Sequence, residues 1–201
     1  MNPLSFPELL EIIEAAVTTV PPVDLLLSLA FPDRRYYHLM CLLSQRLSPC
    51  VAVELGVERG DGLASLALGS PRCRIFGVDQ DVHGLLPTTL AEFPSITFLH
   101  KRSTPVPEEL RGLEIDILHI DTIHNYAQVT AEWKEYKPFL AQGAVVLFDD
   151  LHADEDAVAR KFYELPYPKH QDDRLHIGCG YGVLLYDKGG KYGQTNNPGP
   201  G

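Results

Sequence analysis

The sequence has no apolar run near the roughly 20 residues that a helix needs to cross a bilayer, so no membrane-spanning helix is expected. Its first residues lack a basic region followed by an apolar stretch, which argues against a secretory signal and favours a cytoplasmic protein. No C-x-x-C pair is present, which argues against a zinc knuckle or a redox motif. We therefore expect the four scattered cysteines to be reduced and structural: Cys41, Cys50, Cys73 and Cys179.

Positive charge is scarce, with 17 Lys and Arg against 27 Asp and Glu and a formal net charge of −10. Tight binding to a phosphate backbone depends on Lys and Arg that displace counterions. We therefore expect no nucleic-acid substrate, and we assign the pairs Arg34-Arg35 and Lys101-Arg102 to ordinary surface charge.

The chain is expected to fold as one globular domain, since it has 201 residues of which 45% are hydrophobic. Residues 1–49 are predicted to form an N-terminal helical cap within that domain. Residues 50–187 are predicted to form its main α/β part. Residues 188–201 are rich in Gly, Pro and Asn, which predicts a disordered tail.

The helical cap is predicted from its starts and breaks. Ser5 followed by Pro7 and Glu8 is typical of a helix start, and apolar residues recur at helical spacing after it. A Pro-Pro break follows, and further helices are predicted at residues 23–29 and 33–46.

From residue 50 onward, short apolar runs alternate with helical segments. Runs without alternating polar residues are typical of parallel strands that are covered on both faces, so a doubly wound α/β sheet is expected. After a helix at about residues 155–165, two last runs lie too close together for a crossover helix and should pair as an antiparallel hairpin. The seven predicted strands are residues 51–53, 74–78, 96–99, 115–120, 144–148, 174–179 and 181–186.

The first of these strands leads into a glycine-rich turn, in which Glu54 precedes Gly56 and Gly60. Backbone N–H groups in such a turn point at a ligand, and a carboxylate there suits a cationic ligand better than a pyrophosphate. Asp79 ends the second strand, at the place where an acid accepts hydrogen bonds from ribose hydroxyls. Asp79 could instead cap the segment that follows it. Together the turn and Asp79 predict a nucleoside ligand.

These motifs resemble those of the class I S-adenosylmethionine-dependent methyltransferases, over about residues 50–186. The resemblance implies a Rossmann-like methyltransferase fold with S-adenosylmethionine as cofactor. It implies that Glu54, Gly56 and Gly60 shape the methionine pocket and that Asp79 holds the ribose, with Gln80 beside it. It also places Ser103 next to the adenine, although this chain has Lys101-Arg102-Ser103 where the family often has Gly-Asp-Ser.

Three carboxylates are predicted to meet at the carboxyl ends of the fourth and fifth strands: Asp121, Asp149 and Asp150. They would repel one another, and no Arg or Lys is adjacent in sequence to neutralise them. A hard divalent cation with oxygen ligands, most simply Mg²⁺, would resolve this repulsion. The alternative is that these aspartates only cap the helices that follow.

The spacing of these carboxylates resembles that of the metal-dependent O-methyltransferases, which include catechol, macrolide-sugar, rhamnosyl and cephalosporin-hydroxylase-like proteins. The resemblance implies that Asp121, Asp149 and Asp150 hold the metal, with Asp121 also beside the cofactor. It implies a general-base role for His124, although Thr122 replaces the glycine of the usual Asp-Gly-x-His.

An unperturbed histidine has a pKa near 6.5, so His124 is expected to be largely neutral at working pH. His152 is a second candidate for the base or for a substrate contact, and His119 should lie within the preceding strand.

The resulting hypothesis is a metal-assisted O-methyltransferase that acts on a small-molecule hydroxyl, without a membrane or nucleic-acid partner and with homo-oligomerisation left open. A nicotinamide-dependent oxidoreductase is disfavoured by Glu54 and by the absence of G-x-G-x-x-G. A hydroxylase-like enzyme and a non-catalytic nucleoside-binding protein on the same fold stay open. Residues 3–46 and 165–175 are expected to shape the acceptor site.

Overall fold

The computed structural model describes residues 3–21, 33–82, 86–153 and 155–189. The helix predicted at residues 23–29 and nearly all of the predicted disordered tail lie outside these residues. The described α-helices are α1 (Phe6–Thr18), α2 (Tyr36–Arg46), α3 (Asp61–Gly69), α4 (Leu86–Glu92), α5 (Tyr126–Tyr136) and α6 (Ala157–Glu164). The strands are β1 (Val51–Leu55), β2 (Arg74–Asp79), β3 (Ile96–His100), β4 (Ile115–Ile120), β5 (Leu140–Phe148), β6 (Lys169–Gln171) and β7 (Gly182–Leu185).

The strands form one sheet in the order β3-β2-β1-β4-β5-β7-β6. The first five are parallel, and β7 runs antiparallel to both β5 and β6. The prediction of a doubly wound, mostly parallel, seven-stranded sheet with an antiparallel hairpin is therefore confirmed. In such a sheet the carboxyl ends of the parallel strands share one edge, where ligands bind.

Two hydrophobic clusters cover the faces of the sheet and explain its apolar strands. One cluster includes Leu9 and Ile13 of α1 together with Leu39 of α2. The other includes Val129 and Trp133 of α5. Helix α1 begins as predicted, because Ser5 and Glu8 form a reciprocal capping box that satisfies free N–H groups of the first turn. No helix of the described ranges is long and apolar enough to span a membrane.

The first strand of the C-terminal hairpin was predicted in the wrong place. Residues 174–179 are not a sheet strand in the structure, and β6 instead occupies Lys169–Gln171. The backbone of the 174–179 segment pairs with the chain before α2: Tyr36 N–H donates to the Leu175 carbonyl, and Ile177 N–H donates to the Asp33 carbonyl.

The expectation of four reduced cysteines is wrong for two of them, because Cys50 and Cys73 form a disulfide. They precede β1 and β2, and the parallel pairing of these strands brings their Cα atoms to 4.6 Å. Cys41 and Cys179 are free thiols.

Candidate active site at the carboxyl edge of the sheet

The glycine turn after β1 lies directly against the end of β4. Gly56 has a φ of +82°, and a Cβ atom at this position would overlap the backbone carbonyl of Asp121. Only glycine fits such a close approach of two backbones. Gly60 is the N-cap of α3, with a left-handed φ of 86°. The sequence motif therefore brings the N-terminus of α3 and the end of β4 together at one edge of the sheet.

Asp79 holds this glycine turn from β2. Its Oδ2 atom accepts hydrogen bonds from the backbone N–H groups of Val57 at 2.7 Å and Glu58 at 3.2 Å. Its Oδ1 atom accepts one from the N–H of Asp81 at 3.0 Å. Asp79 thus has a clear structural role, and its side chain also borders a cavity beside the turn.

The cavity has a volume of about 450 Å³, within the range of small-molecule sites. Five of the residues predicted to bind the cofactor line it, as does the predicted base: Gly56, Asp79, Gln80, Ser103, Asp121 and His124. Among the described residues, its lining does not include Glu54 or Gly60.

A hydrogen-bonded network supports the far side of the cavity and centres on Glu132, which the sequence analysis did not single out. This side chain is fully buried on α5. Its Oε1 atom accepts hydrogen bonds from Ser103 Oγ at 2.7 Å and Gln128 Nε2 at 2.8 Å, and its Oε2 atom accepts one from Thr122 Oγ1 at 3.0 Å. Burial raises the pKa of Glu132, although these three donors oppose the rise. Thr122, which replaces the glycine of the family pattern, is therefore an anchor of the loop after β4.

The three predicted metal ligands come together, and two histidines join them. Asp121 follows β4, while Asp149 and Asp150 follow β5. His124 Nε2 lies 2.9 Å from Asp150 Oδ2 and 3.6 Å from Asp121 Oδ1. His176 Nδ1 lies 2.6 Å from Asp149 Oδ1 and 3.5 Å from Asp150 Oδ1. His176 could not be recognised from the sequence as a partner of these aspartates, because its loop is distant from them along the chain.

The charges of this cluster shift the pKa values of its members. Burial, together with the charge of Asp149, raises the pKa of Asp121. Burial also acts to raise the pKa of Asp150, but His124 outweighs it and the pKa falls below its ordinary value. Asp121 and Asp150 in turn raise the pKa of His124 to about 10. With protein charges alone, His124 is therefore protonated at neutral pH, and the expectation of a largely neutral imidazole is wrong.

Glu54 of β1 is paired with His119 of β4, because the two residues are opposite each other in the register of these strands. His119 Nδ1 lies 2.9 Å from Glu54 Oε1, and both side chains are buried. A Cβ atom at position 62 would overlap the Glu54 carboxylate, so Gly62 in the first turn of α3 makes room for it. His119 does lie within β4, as predicted.

His152, the second candidate base, pairs with aspartates outside the group formed by Asp121, Asp149 and Asp150. Its ring nitrogens lie 3.3 Å from Asp173 Oδ1 and 3.6 Å from Asp156 Oδ1, and its side chain is 40% exposed. It is not among the residues that line the cavity in the described part of the chain. The geometry therefore favours His124 over His152 as the base.

Comparison with known proteins gives one family match. Residues 53–151 match a family model described as a methyltransferase domain. A search of curated proteins found no significant match.

Several solved structures share the fold at low sequence identity. Cofactor-bound Rv0187 from MTB is 18% identical with a TM-score of 0.67, over 90% of this chain and 97% of that one. The O-methyltransferase TomG from Streptomyces achromogenes, in complex with S-adenosylmethionine, is 15% identical with a TM-score of 0.61, over 89% and 96%. CalS11, a TDP-rhamnose 3'-O-methyltransferase of calicheamicin biosynthesis, is 19% identical with a TM-score of 0.59, over 91% and 96%. Residues 53–151 of this chain therefore match a methyltransferase domain, and the chain has the fold of solved methyltransferases.

Proposed function

We propose that this protein transfers the methyl group of S-adenosylmethionine to a hydroxyl oxygen of a small molecule, with the help of a divalent cation. The observation that carries the proposal is that Asp121, which borders a cavity together with Asp79 and Ser103, lies close to Asp149 in one group that could hold an ion and close to Asp150 in another. A nucleoside site and a carboxylate cluster at one sheet edge are the two parts that such a reaction needs.

The donor set fits a divalent cation. Oδ1 of Asp150 is buried, and its ion-pair partner His176 Nδ1 is 3.5 Å away, so a cation bound there would add to the stabilisation of this oxygen. Asp121 Oδ1 and Asp150 Oδ2 both approach His124 Nε2, so the carboxylates of the two strands converge on one point. When bound, a divalent cation would lower the pKa of the acceptor hydroxyl.

The cofactor is proposed to occupy the 450 Å³ cavity. Asp79 and Gln80 would contact the ribose, and Ser103 would lie near the adenine, where Glu132 and Gln128 fix its hydroxyl group. Gly56 and Gly60 would shape the methionine end of the cavity through the backbone. S-adenosylmethionine bound there would supply a methyl group for in-line attack by the acceptor oxygen, and its sulfur would keep the electron pair of the broken carbon–sulfur bond.

His124 is proposed to accept the acceptor's hydroxyl proton at Nε2. It can do so only in its neutral form, whereas Asp121 and Asp150 hold a proton on it when their charges are uncompensated. Binding of a cation by Asp121, with or without Asp150, would reduce the negative charge that holds the proton. The base role of His124 and the metal role of the carboxylates are therefore linked.

A small-molecule acceptor is favoured by the chain's net charge of −10, which opposes binding to a nucleic-acid backbone. Ile123 borders the cavity and is 61% exposed, so an apolar contact is available at the mouth of the site. Phenols and sugar hydroxyls are the acceptor classes to test first, and a cytoplasmic location is part of the proposal.

The test is methyl transfer from isotope-labelled S-adenosylmethionine to a panel of phenols and sugars, with Mg²⁺ or Mn²⁺ and with chelator. We expect transfer to at least one hydroxyl acceptor that chelator abolishes, while calorimetry shows that cofactor binding persists in chelator. Full turnover in chelator would remove the metal from the proposal. Tight cofactor binding without transfer to any acceptor would favour a non-catalytic nucleoside-binding protein.

A further inference from the structure

His119 has a buried ring nitrogen that nothing in the described structure satisfies. Its side chain is 1% exposed. Nδ1 is paired with Glu54, whereas Nε2 has no hydrogen-bond partner among the residues that the structure describes. A buried polar atom without a partner is costly, so this nitrogen is expected to bind an ion or a polar group in the functional protein.

The His119 ring lies close to two of the proposed metal ligands. Each of His119, Asp121 and Asp149 offers one ligand atom, and these atoms lie within 4.8 Å of one another. Side chains two residues apart on a strand point to the same face, so Asp121 extends the face of the sheet on which His119 lies. The register of β4 with β5 pairs His119 with Leu147 and thereby sets Asp149 opposite Asp121. The three groups thus converge because of strand register.

His119, Asp121 and Asp149 form the inner group of the site, and its surroundings are closed. Tyr36 and Tyr181 are fully buried, stack with ring centroids 4.8 Å apart, and lie against the His119 ring at 5.8 and 5.9 Å. The second group that could hold an ion, formed by Asp121, His124 and Asp150, is less buried, and two of its members border the cavity. Asp121 belongs to both groups, so an ion in the inner one would leave His124 and Asp150 facing the acceptor.

The pairing of Glu54 with His119 is the arrangement found behind metal-bound imidazoles. A ligating histidine almost always gives its other ring N–H to a carboxylate or a carbonyl, which fixes the tautomer and turns the second nitrogen to the metal. Here Glu54 Oε1 lies 2.9 Å from Nδ1, and Nε2 is the ring nitrogen left to bind an ion that Asp121 and Asp149 also hold. This gives Glu54 a role other than direct contact with the cofactor.

We infer that His119 Nε2, together with Asp121 and Asp149, coordinates the divalent cation, so that the site prefers a first-row transition ion such as Mn²⁺, Co²⁺ or Zn²⁺ to Mg²⁺. An imidazole nitrogen suits transition ions, whereas Mg²⁺ favours a set of oxygen ligands. The inference rests on the proposed function, because it concerns the same cation, and it replaces the all-oxygen site expected from the sequence.

The test is electron spin echo envelope modulation of Mn²⁺ bound to the full chain, which detects ¹⁴N coordinated to the ion. We expect a nitrogen signal in the wild-type protein. We expect it to persist in the double variant His124→Gln/His176→Gln, which leaves His119 as the nearby imidazole. In His119→Gln the nitrogen signal should vanish. The Mn²⁺ dissociation constant should rise by at least about 10- to 100-fold, since loss of an outer-shell partner alone typically has an effect of this size. Glu54→Gln should weaken Mn²⁺ binding by about 10- to 100-fold and keep the nitrogen signal.

The possible results distinguish a failure of this inference from a failure of the proposed function. Mn²⁺ binding without a nitrogen signal, or a signal that disappears in His124→Gln/His176→Gln, overturns the role of His119 and leaves the metal proposal standing. No Mn²⁺, Zn²⁺ or Mg²⁺ binding by calorimetry overturns both. The double variant retains His119 itself, so the result does not depend on whether His119→Gln folds.

Discussion

The hydroxyl group of Thr122 donates a 3.0 Å hydrogen bond to Oε2 of the buried Glu132. It is the one hydrogen bond that this oxygen receives within the described residues, since Ser103 and Gln128 both donate to Oε1. The contact ties the loop that carries Asp121 and His124 to helix α5. A residue that departs from the family's glycine thus fixes the position of the proposed metal and base residues.

Thr122→Val should remove this hydrogen bond and leave a buried carboxylate oxygen without a donor. We expect the free energy of unfolding to fall by about 1 to 3 kcal/mol, the usual cost of an unsatisfied buried group. Thr122→Ser keeps the hydroxyl and is the matched control in urea denaturation. If the serine variant lost as much stability as the valine variant, the hydrogen bond would not be the cause.

Glu132 should make stability depend on pH. Burial raises its pKa above the ordinary 4.5 in the folded state, so folding favours the protonated form. Its contribution is therefore fully present below pH 4.5 and is lost as pH rises through the higher folded-state value. The unfolding free energy of the wild type relative to Glu132→Gln should fall over that interval in urea titrations. A difference that is flat with pH, or that rises, would contradict the raised pKa.

The strands and the aspartates that end them were predictable from the sequence. Continuous apolar runs such as residues 144–148 show strands covered on both faces, and parallel strands place their carboxyl ends at one edge. Asp121, Asp149 and Asp150 could therefore be brought together without knowing any long-range contact. The structure confirms this proximity, whereas their metal-binding role stays a prediction.

The partners supplied by distant segments could not be read from local sequence. His176 reaches Asp149 because residues 174–179 pair with the chain before α2, and local alternation does not reveal which segment pairs with which. Glu132 could not be recognised from the sequence, because a charged residue on a helix is usually exposed and its burial depends on how the helix packs. Cys50 and Cys73, 23 residues apart, meet only through the register of β1 and β2.

Asp79→Asn should weaken binding of S-adenosylmethionine by about 1 to 3 kcal/mol, because the carboxylate would lose charge-assisted hydrogen bonds from the ribose. Asparagine keeps one acceptor oxygen for the N–H groups of Val57 and Glu58, so the turn can stay in place. Calorimetry gives the affinity, with Asp81→Asn as the neighbouring control. Unchanged affinity together with a lower melting temperature would restrict Asp79 to its structural role.

Asp149→Asn should weaken binding of Mn²⁺ or Mg²⁺ and leave the affinity for S-adenosylmethionine nearly unchanged. Asp149 is buried beside the carboxylate cluster and does not border the cavity within the described part of the chain. Asp173→Asn is a suitable control, because that side chain is 59% exposed and pairs with His152 instead. Equal metal affinities of the two variants would argue that Asp149 serves only to hold His176.

His124→Gln should slow the methyl-transfer step by about 10² to 10⁴-fold, the usual contribution of a general base, while S-adenosylmethionine binds as before. The expectation follows from the position of His124 Nε2 between the two strand ends, 2.9 Å from Asp150 and at the border of the cavity. His152→Gln is the matched control, since His152 lies among Asp156, Asp173 and Gln171 and away from the cavity.

Single-turnover rates at saturating cofactor and metal separate the chemical step from binding, and melting curves of both variants exclude unfolding as the cause. We expect a slow His124→Gln variant and a His152→Gln variant that reacts like the wild type. A well-folded His124→Gln variant with near-normal chemistry would leave activation of the hydroxyl to the cation. If the His152→Gln variant were the slow one, the base would have to approach from the side of Asp173, against the geometry of the described cavity.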